Sequence, residues 1–522
     1  MRSTFFGLNT SVSGLFASQR ALDVTGHNIS NANTPGYSRQ RLNVTQSLAL
    51  TLPNGQGMIG TGVDTRNIQQ LRDKFLDYKY WQENTTLGKW TTRADSLEQI
   101  EAILNEPSDS GIQTVMDEFY SALQELSQGE KADNLTVRTQ VRERGIALTK
   151  TLNHMYSQLQ NMQKNMDFEV QTTVDQINGY AKQIANLNKQ IFQYELDGSN
   201  ANDLRDQRNL LVDQLSELVD IEVQESADGR FKVAVNGISL VSHYDCQQLK
   251  VEKRTTEKNP GVDNKGLLEV KWENGTSFNC KSGKLQGVLD TRDNIDGNTK
   301  GIPYYMDQLN RFTTVFAARF NLQHSQGAAL DGSTGINFFN GPTVAEITDP
   351  IDPTWTDAQI ISNFEEAGTV VFKADGKWYK ATTITAADIN ISDDIAGNDG
   401  LNKIAAAASP LTGPGDGSNA LLLLNMRHDT GMFSWGSPDD FFKSLISNLG
   451  VDSQEAIRMM DNQNVLVNQI ENSRQSVSGV SMDEEMANMV KFQHAYNAAA
   501  RMITTIDEML DKIINGMGMV GR

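Results

Sequence analysis

Only two cysteines, Cys246 and Cys280, occur in 522 residues, both mid-chain. That excludes a disulfide-dense scaffold; the two either pair or serve as small buried hydrophobes, and they decide nothing about compartment. Long apolar runs are absent. The longest burst, Ala420 to Leu424, falls far short of the roughly 20 residues that span a bilayer, so no membrane insertion is expected. The first 25 residues lack a basic start followed by an apolar stretch, because Asn9, Thr10, Ser11, Ser18, Gln19 and Arg20 interrupt every run, so no cleaved signal peptide is read there. Positive charge is scarce as well. With 46 basic against 65 acidic residues, a net charge of -19 and no basic cluster, the chain is a poor partner for nucleic acid or anionic membranes, which require Lys and Arg to replace counterions.

Recognisable chemistry is equally sparse. The six histidines are scattered without H-E-x-x-H, and no C-x-x-C or G-x-S-x-G occurs, so no metal, no catalytic residues and no enzyme activity are expected. His243 to Cys246 is read as a strand end or turn. Asp439-Asp440 beside Pro438 is read as helix capping. Gly55-Gln-Gly57-Met-Ile-Gly60 matches the dinucleotide fingerprint, but Pro53-Asn54 replaces the preceding strand and GVDTRNIQ alternates where a helix should open. No cofactor is expected there.

What is present is helical patterning at both ends. Phe5, Leu8, Val12, Leu15, Leu22 and Ile29 follow a 3-4 spacing, interrupted on the same seam only by Gln19 and Gly26, which is typical of a helix packed on a helix. The helix stops at GHNISNANTPGY. Asn28, Asn31 and Asn33 can enter left-handed conformations and hydrogen-bond the nearby backbone, Thr34 is pushed out of the helical region by Pro35, and Pro35-Gly36 before Tyr37 suits a type II turn. YSRQRLNV then alternates as a strand, with Leu42 and Val44 on one face. At the other end, Ser481 to Glu484 has the pattern of a capping box, followed by Met489, Phe492, Tyr496, Ala499, Ile503, Ile506, Leu510 and Ile513 in heptad spacing.

Between the ends lie long helices over about 85 to 220. One apolar stripe, continuing from Leu152 to Ile184, predicts a helix over 145–196 spanning roughly 75 Å, with Gly179 as a kink point. Alternation begins near 221, where Ala-Asp-Gly reads as a hairpin. Helical pattern returns from Ile302 to Phe320, a Gly-, Asp-, Thr- and Pro-rich insert follows, and two helices are read after 438, marked by Phe442 to Leu449 and Ile457 to Ile470. No internal repeat appears. The expected fold class is multidomain α+β, with terminal coiled-coil helices, a long α-helical rod and inserted β-rich domains. The expected boundaries are 1–50 plus 476–522 for the terminal domain and 51–220 plus 291–330 plus 415–475 for the rod. The β-rich inserts are placed at 221–290 and 331–414.

The run ALDVTGHNISNANTPGYSRQRLNV resembles the signature of the bacterial flagellar rod, hook and hook-associated axial proteins. GTGVDTRNIQQLRDKFLDYKY, DLRDQRNLLVDQLSELVDIEV, GPGDGSNALLLLNMRHD and the stretch from Ser478 to Asn515 resemble the hook-associated branch in the same order; the likeness lapses over about 335 to 385. The resemblance implies a mechanical adaptor at the hook–filament junction. Copies would form a ring between the hook protein and a second junction protein, outside the cell. It also implies type III export without a cleaved signal, and a cytosolic export chaperone on the C-terminal amphipathic region.

In that setting Leu8, Val12, Leu15, Leu22 and Ile29 are expected to pair antiparallel with Met489, Phe492, Tyr496, Ile503, Ile506, Leu510 and Ile513 in an inner tube. These ends are expected to be largely unfolded before assembly. Other readings are a hook or rod protein, or an adhesin or surface-recognition module carried in the 331–414 insert.

Overall fold

The computed structural model describes residues 6–51, 57–104, 111–226, 228–297, 299–366, 368–413 and 415–516. Helix α1 (Phe6–Ser30) leads into β1 (Gln40–Gln46), β2 (Leu50–Thr51), β3 (Met58–Ile59) and β4 (Val63–Gln70). The β1 and β4 strands pair antiparallel from Gln40 opposite Gln70 to Gln46 opposite Val63, so this ribbon crosses the expected boundary at 50/51. Of the fingerprint glycines, Gly57 and Gly60 flank β3. Gly55 lies outside the described residues, and the chain after Gly60 enters strand β4.

Four helices follow: α2 (Lys74–Leu104), α3 (Ile112–Leu126), α4 (Leu135–Tyr194) and α5 (Asn202–Leu218). The 60-residue α4 is roughly 90 Å long and runs through Gly179, whose flank is open. It begins where the Asn134 side chain accepts from the Thr136 N–H at 2.8 Å, which satisfies an otherwise orphan donor. Its buried stripe extends from Val137 to Ile191, longer than the sequence stripe alone indicated.

The first β region comprises β5 (Glu222–Glu225), β6 (Phe231–Val235), β7 (Ile238–Ser242) and β8 (Asp245–Cys246) in one four-stranded antiparallel sheet. The strands β9 (Leu249–Lys253) and β10 (Leu268–Trp272) form a second. His243 occupies the β7–β8 turn with φ 57°, and Cys246 and Cys280 are both free. After α6 (Lys284–Asp293) and α7 (Ile302–Gln326) comes the second insert. It is less β-rich than expected. Strands β11 (Val344–Glu346), β12 (Thr369–Ala374) and β13 (Lys377–Thr382) make one small sheet, accompanied by α8 (Asp357–Phe364) and α9 (Asp393–Ala396).

Helix α4 pins both inserts. Asn178 exchanges two 2.8 Å hydrogen bonds with the backbone of Leu249, and the Asn153 amide donates to the carbonyls of Ala386, Ala387 and Ile389. The second insert also enters the main core: Phe338 and Phe339 are fully buried against Phe119 and Phe320, with ring centroids 5.2–6.2 Å apart.

Helix α10 (Ser418–Asn425) precedes α11 (Pro438–Ser478) and α12 (Met482–Asp511). Where two helices were expected after 438, α11 is continuous, because Gly450 within it lowers propensity without removing a hydrogen bond. Ser437 and Asp440 form a capping box at its start. The break comes at Gly479 and Val480.

Candidate functional site: the terminal helix pair and its polar clamp

Helices α1 and α12 pack against each other antiparallel. An atom at the Cβ position of Gly7 would lie 3.5 Å from Ile506 Cδ1, while at the other end Asn28 Nδ2 donates to Glu485 Oε2 at 3.2 Å. Residue numbers therefore rise along one helix as they fall along the other.

Within this chain, the buried face of α1 is Ala17, Ala21, Val24, Thr25 and Asn28. Leu8, Val12, Leu15, Leu22 and Ile29 are half-buried, and Phe5 lies outside the described residues. The face is shifted because α1 also packs against the β1–β4 ribbon: Val63 N donates to Ser13 Oγ at 3.2 Å. A side chain at Gly62, with φ 124°, would collide with that hydroxyl. On α12, Ile506 is buried, Phe492, Tyr496, Ile503 and Leu510 are half-buried and Met489 is 38% exposed; Ile513, in the π-helical turn after α12, is 50% exposed. The pair leaves Phe16, Met486, Val490, Met502 and Met509 turned outward as well.

The asparagine-rich turn uses local side-chain hydrogen bonds and not the left-handed backbone open to asparagine. Asn28 is helical, and none of Asn28, Asn31 and Asn33 has positive φ. Asn28 works through its side chain, which is buried and makes four hydrogen bonds. Its Nδ2 donates to the Gln40 carbonyl at 2.9 Å and to Glu485, and its Oδ1 accepts from Tyr37 Oη at 2.8 Å and Gln40 N at 2.9 Å. That uses the full capacity of one amide. Asn31 caps the helix end, donating to the His27 carbonyl at 3.0 Å and accepting from Thr34 Oγ1 at 3.2 Å.

Asn33, Thr34, Pro35 and Gly36 are exposed, and Tyr37 is half-buried. Tyr37 N donates to the Thr34 carbonyl at 3.2 Å with Gly36 at φ 76°, as a type II turn requires. Burial, then the negative charges of Asp203, Asp206 and Glu485, raise the Tyr37 pKa, so its phenol remains the donor to Asn28.

Arg39 bridges the break between α11 and α12. Its backbone N–H donates to the Ser478 carbonyl at 2.8 Å, Nε donates to Glu485 Oε1 at 2.7 Å and Nη1 to Glu484 Oε2 at 2.6 Å. Burial works against the charge, yet the hydrogen bonds to Glu484 and Glu485 raise the Arg39 pKa overall. At the cap itself only half of the expected box forms: Ser481 Oγ accepts from Glu484 N at 3.5 Å, and the Glu484 carboxylate is held by Arg39.

The clamp continues into the long helices. Ser38 N donates to Asp206 Oδ2 at 3.0 Å, Gln70 Nε2 to Asp206 Oδ1 at 2.9 Å and Gln40 Nε2 to Asp203 Oδ1 at 2.7 Å. Burial pushes the Asp206 carboxyl up to about 6 despite these donors. Arg474 of α11 pairs with Asp77 of α2 at 3.0 Å and Asp213 of α5 at 2.8 Å, with its guanidinium 4.3 Å from the Tyr80 ring centroid. The terminal pair is thus joined to α2, α5 and α11 by oriented polar contacts. Buried pairs of this kind add little net stability over apolar packing, but breaking one by removing a partner is costly.

Sequence reasoning did not single out Arg39, Asp206, Arg474 or Glu485. A signal was available for Glu485, which precedes Phe492, Ala499 and Ile506 by whole heptads and so carries a charge on an apolar seam. Among the described residues, no group of three or more His, Cys, Asp or Glu is placed to hold a metal ion, and no helix is long and apolar enough to cross a membrane.

The family models converge on these elements. A model described as the flagellar hook-associated protein FlgK helical domain matches residues 97–339. A flagella basal body rod protein model matches 8–37, and the C-terminal model of flagellar basal body rod FlgEFG protein matches 471–516. The chain is 36% identical over 552 aligned positions to flagellar hook-associated protein 1 of Bacillus subtilis (strain 168), covering all of both proteins.

The chain belongs to the flagellar hook-associated protein 1 family.

A second member, from Escherichia coli (strain K12), is 29% identical across 97% of this chain and 99% of its own length. The fold agrees with the solved structure of the flagellar hook junction protein FlgK from Burkholderia pseudomallei. That structure superposes with a TM-score of 0.60 at 16% identity, over 77% of this chain and 100% of the other. The family is a structural one, and membership makes this chain an axial structural component of the flagellum. The two rod-type models fall on α1 with its turn and on α12 with the end of α11, the elements joined by the clamp.

Proposed function

We propose that this protein is the adaptor at the hook–filament junction, where copies form a ring between the hook protein and a second junction protein that carries the filament. The observation that carries the reading is the clamp. A helix pair with apolar side chains turned outward is fastened to a body containing a roughly 90 Å helix, and a mechanical coupling between two tubes of different character requires such a fixed angle. The outward apolar residues of α1 and α12 supply the surface for copies and axial neighbours, since exposed patches of this kind mark interaction sites.

The same amphipathic α12 would be held by a cytosolic export chaperone before passage through the type III apparatus, and the working location is extracellular. The grouping of α1, α12 and the turn as an inner-tube unit, with the long helices outside it, belongs to this reading. Electron microscopy of cells lacking the gene tests it: hooks should persist without filaments while flagellin accumulates in the medium. Filaments still seated on hooks in that strain would overturn it.

A further inference from the structure

Beside the clamp, the end of β4, the start of α2, α5 and the β5–β6 edge enclose a cavity of about 300 Å³. Four basic side chains line it, Arg72, Lys74, Arg205 and Arg208, against two carboxylates, Asp77 and Glu225. With Glu195 and Asp206 beside it, four carboxylates stand against these four cations, so the wall carries no net charge excess.

The carboxylates present are already engaged. Glu225 accepts from Lys74 at 2.6 Å, Arg205 at 2.8 Å and Arg208 at 3.2 Å, and Asp77 accepts from Arg72 at 2.7 Å and Arg474 at 3.0 Å. Nearby, Glu195 is taken by the Arg205 fork at 2.7 Å on each oxygen, and both oxygens of Asp206 accept from Ser38 and Gln70.

Two guanidinium donors remain. Arg208 Nε and Arg72 Nη2 are buried and have no hydrogen-bond partner among the described residues, and the Arg208 side chain is only 3% exposed. Native interiors rarely leave such donors without an acceptor. Arg208 is also held in place, its guanidinium 3.8 Å from the Phe231 ring centroid and its Nη1 donating to Asn188 at 3.3 Å.

We propose that this cavity binds a small oxyanion, a carboxylate or phosphate-like group, between Arg72 and Arg208. Planar guanidinium forks match such oxygens in geometry as well as charge. Because Arg72 also contacts Ser38 and Asp77, an anion here ties the base of the terminal helix pair to α5 and the first β region. The oxygens come either from a free anion or from an acidic side chain of a neighbouring copy.

The test uses full-length protein with inorganic phosphate, and with chloride at equal ionic strength as the reference. Phosphate should raise Tm by roughly 2–4 °C in a saturable way, and tungstate soaked into crystals should give density between Arg72 and Arg208. The shift should be lost in R208K, which keeps the charge but removes the Nε donor. It should be weakened in K74Q, whose position is 70% exposed and tolerates exchange if R208K folds poorly. Binding that leaves self-association unchanged supports a free anion, and phosphate that competes with self-association supports a neighbour's carboxylate. A phosphate response no greater than that of chloride, with no tungstate in the cavity, would overturn the proposal.

Discussion

Replacing Arg39 by Ala isolates the clamp's main ion pair. The Glu485 side chain is 3% exposed and Arg39 19%, so the substitution strands a buried carboxylate whose remaining partner is Asn28. Removing one member of a buried pair costs about 3–5 kcal/mol. The partial exposure of Arg39 places this case near the low end, at about 3 kcal/mol. Contact with Glu484, 62% exposed, adds only about 0–1 kcal/mol. The backbone bond from residue 39 to Ser478 survives in the variant.

The loss should be local, because α12 is packed chiefly on α1. Hydrogen exchange read by mass spectrometry should show protection over residues 482–500 falling roughly a hundredfold, while α4 is unchanged. Adding Glu485→Gln removes the stranded charge and should restore most of the protection. Unchanged exchange in α12 after Arg39→Ala, or an equal loss with and without Glu485→Gln, would refute the reasoning.

Ile506→Asp with Leu510→Asp places charge on the face that meets α1 and should abolish both chaperone binding and filament attachment, whereas Asp507→Asn with Asp511→Asn, on exposed positions, should change either by about 0–1 kcal/mol at most; calorimetry and filament counts read the two. His324 is fully buried between the Ile336 carbonyl and the Ala405 N–H, and burial lowers its pKa from 6.5 to about 4. Its contribution is therefore complete above pH 6.5 and lost as pH falls through 4, giving a decline of about 3 kcal/mol that His324→Gln should lack in urea titrations. Asp206 acts in the opposite direction. With its carboxyl raised from 3.8 to about 6, its contribution is present below pH 3.8 and lost as pH rises through 6, so wild-type stability relative to Asp206→Asn should fall by about 3 kcal/mol across that window.

Periodicity was the legible part of this chain. Leu152 to Ile184 announced α4 and Phe492 to Leu510 announced α12, because an apolar stripe follows from local geometry alone. Turn chemistry was legible at Pro35-Gly36, where only glycine meets the φ of 76° with Leu210 as near as 3.1 Å to the added atom. The role of Asn28 was not legible because an asparagine near a helix end suggests local hydrogen bonds, whereas here its side chain bonds to residues 12 and 457 positions away. Arg39, Asp206 and Arg474 were illegible for the same reason: a charge is buried by partners that sequence order does not bring near. The 331–414 segment read as a separate β-rich insert, yet Phe338 and Phe339 lie in the main core.

The proposed role requires the terminal pair to act as one clamped unit inside an assembled junction. Cryo-electron microscopy of isolated hook–filament junctions tests this most directly. It should show α1 and α12 of each copy lining the inner wall antiparallel, Gly7 beside Ile506 and Asn28 beside Glu485, with Arg39 spanning the α11–α12 break. An inner wall built by a different protein, or α1 and α12 of one copy parted from each other, would contradict it.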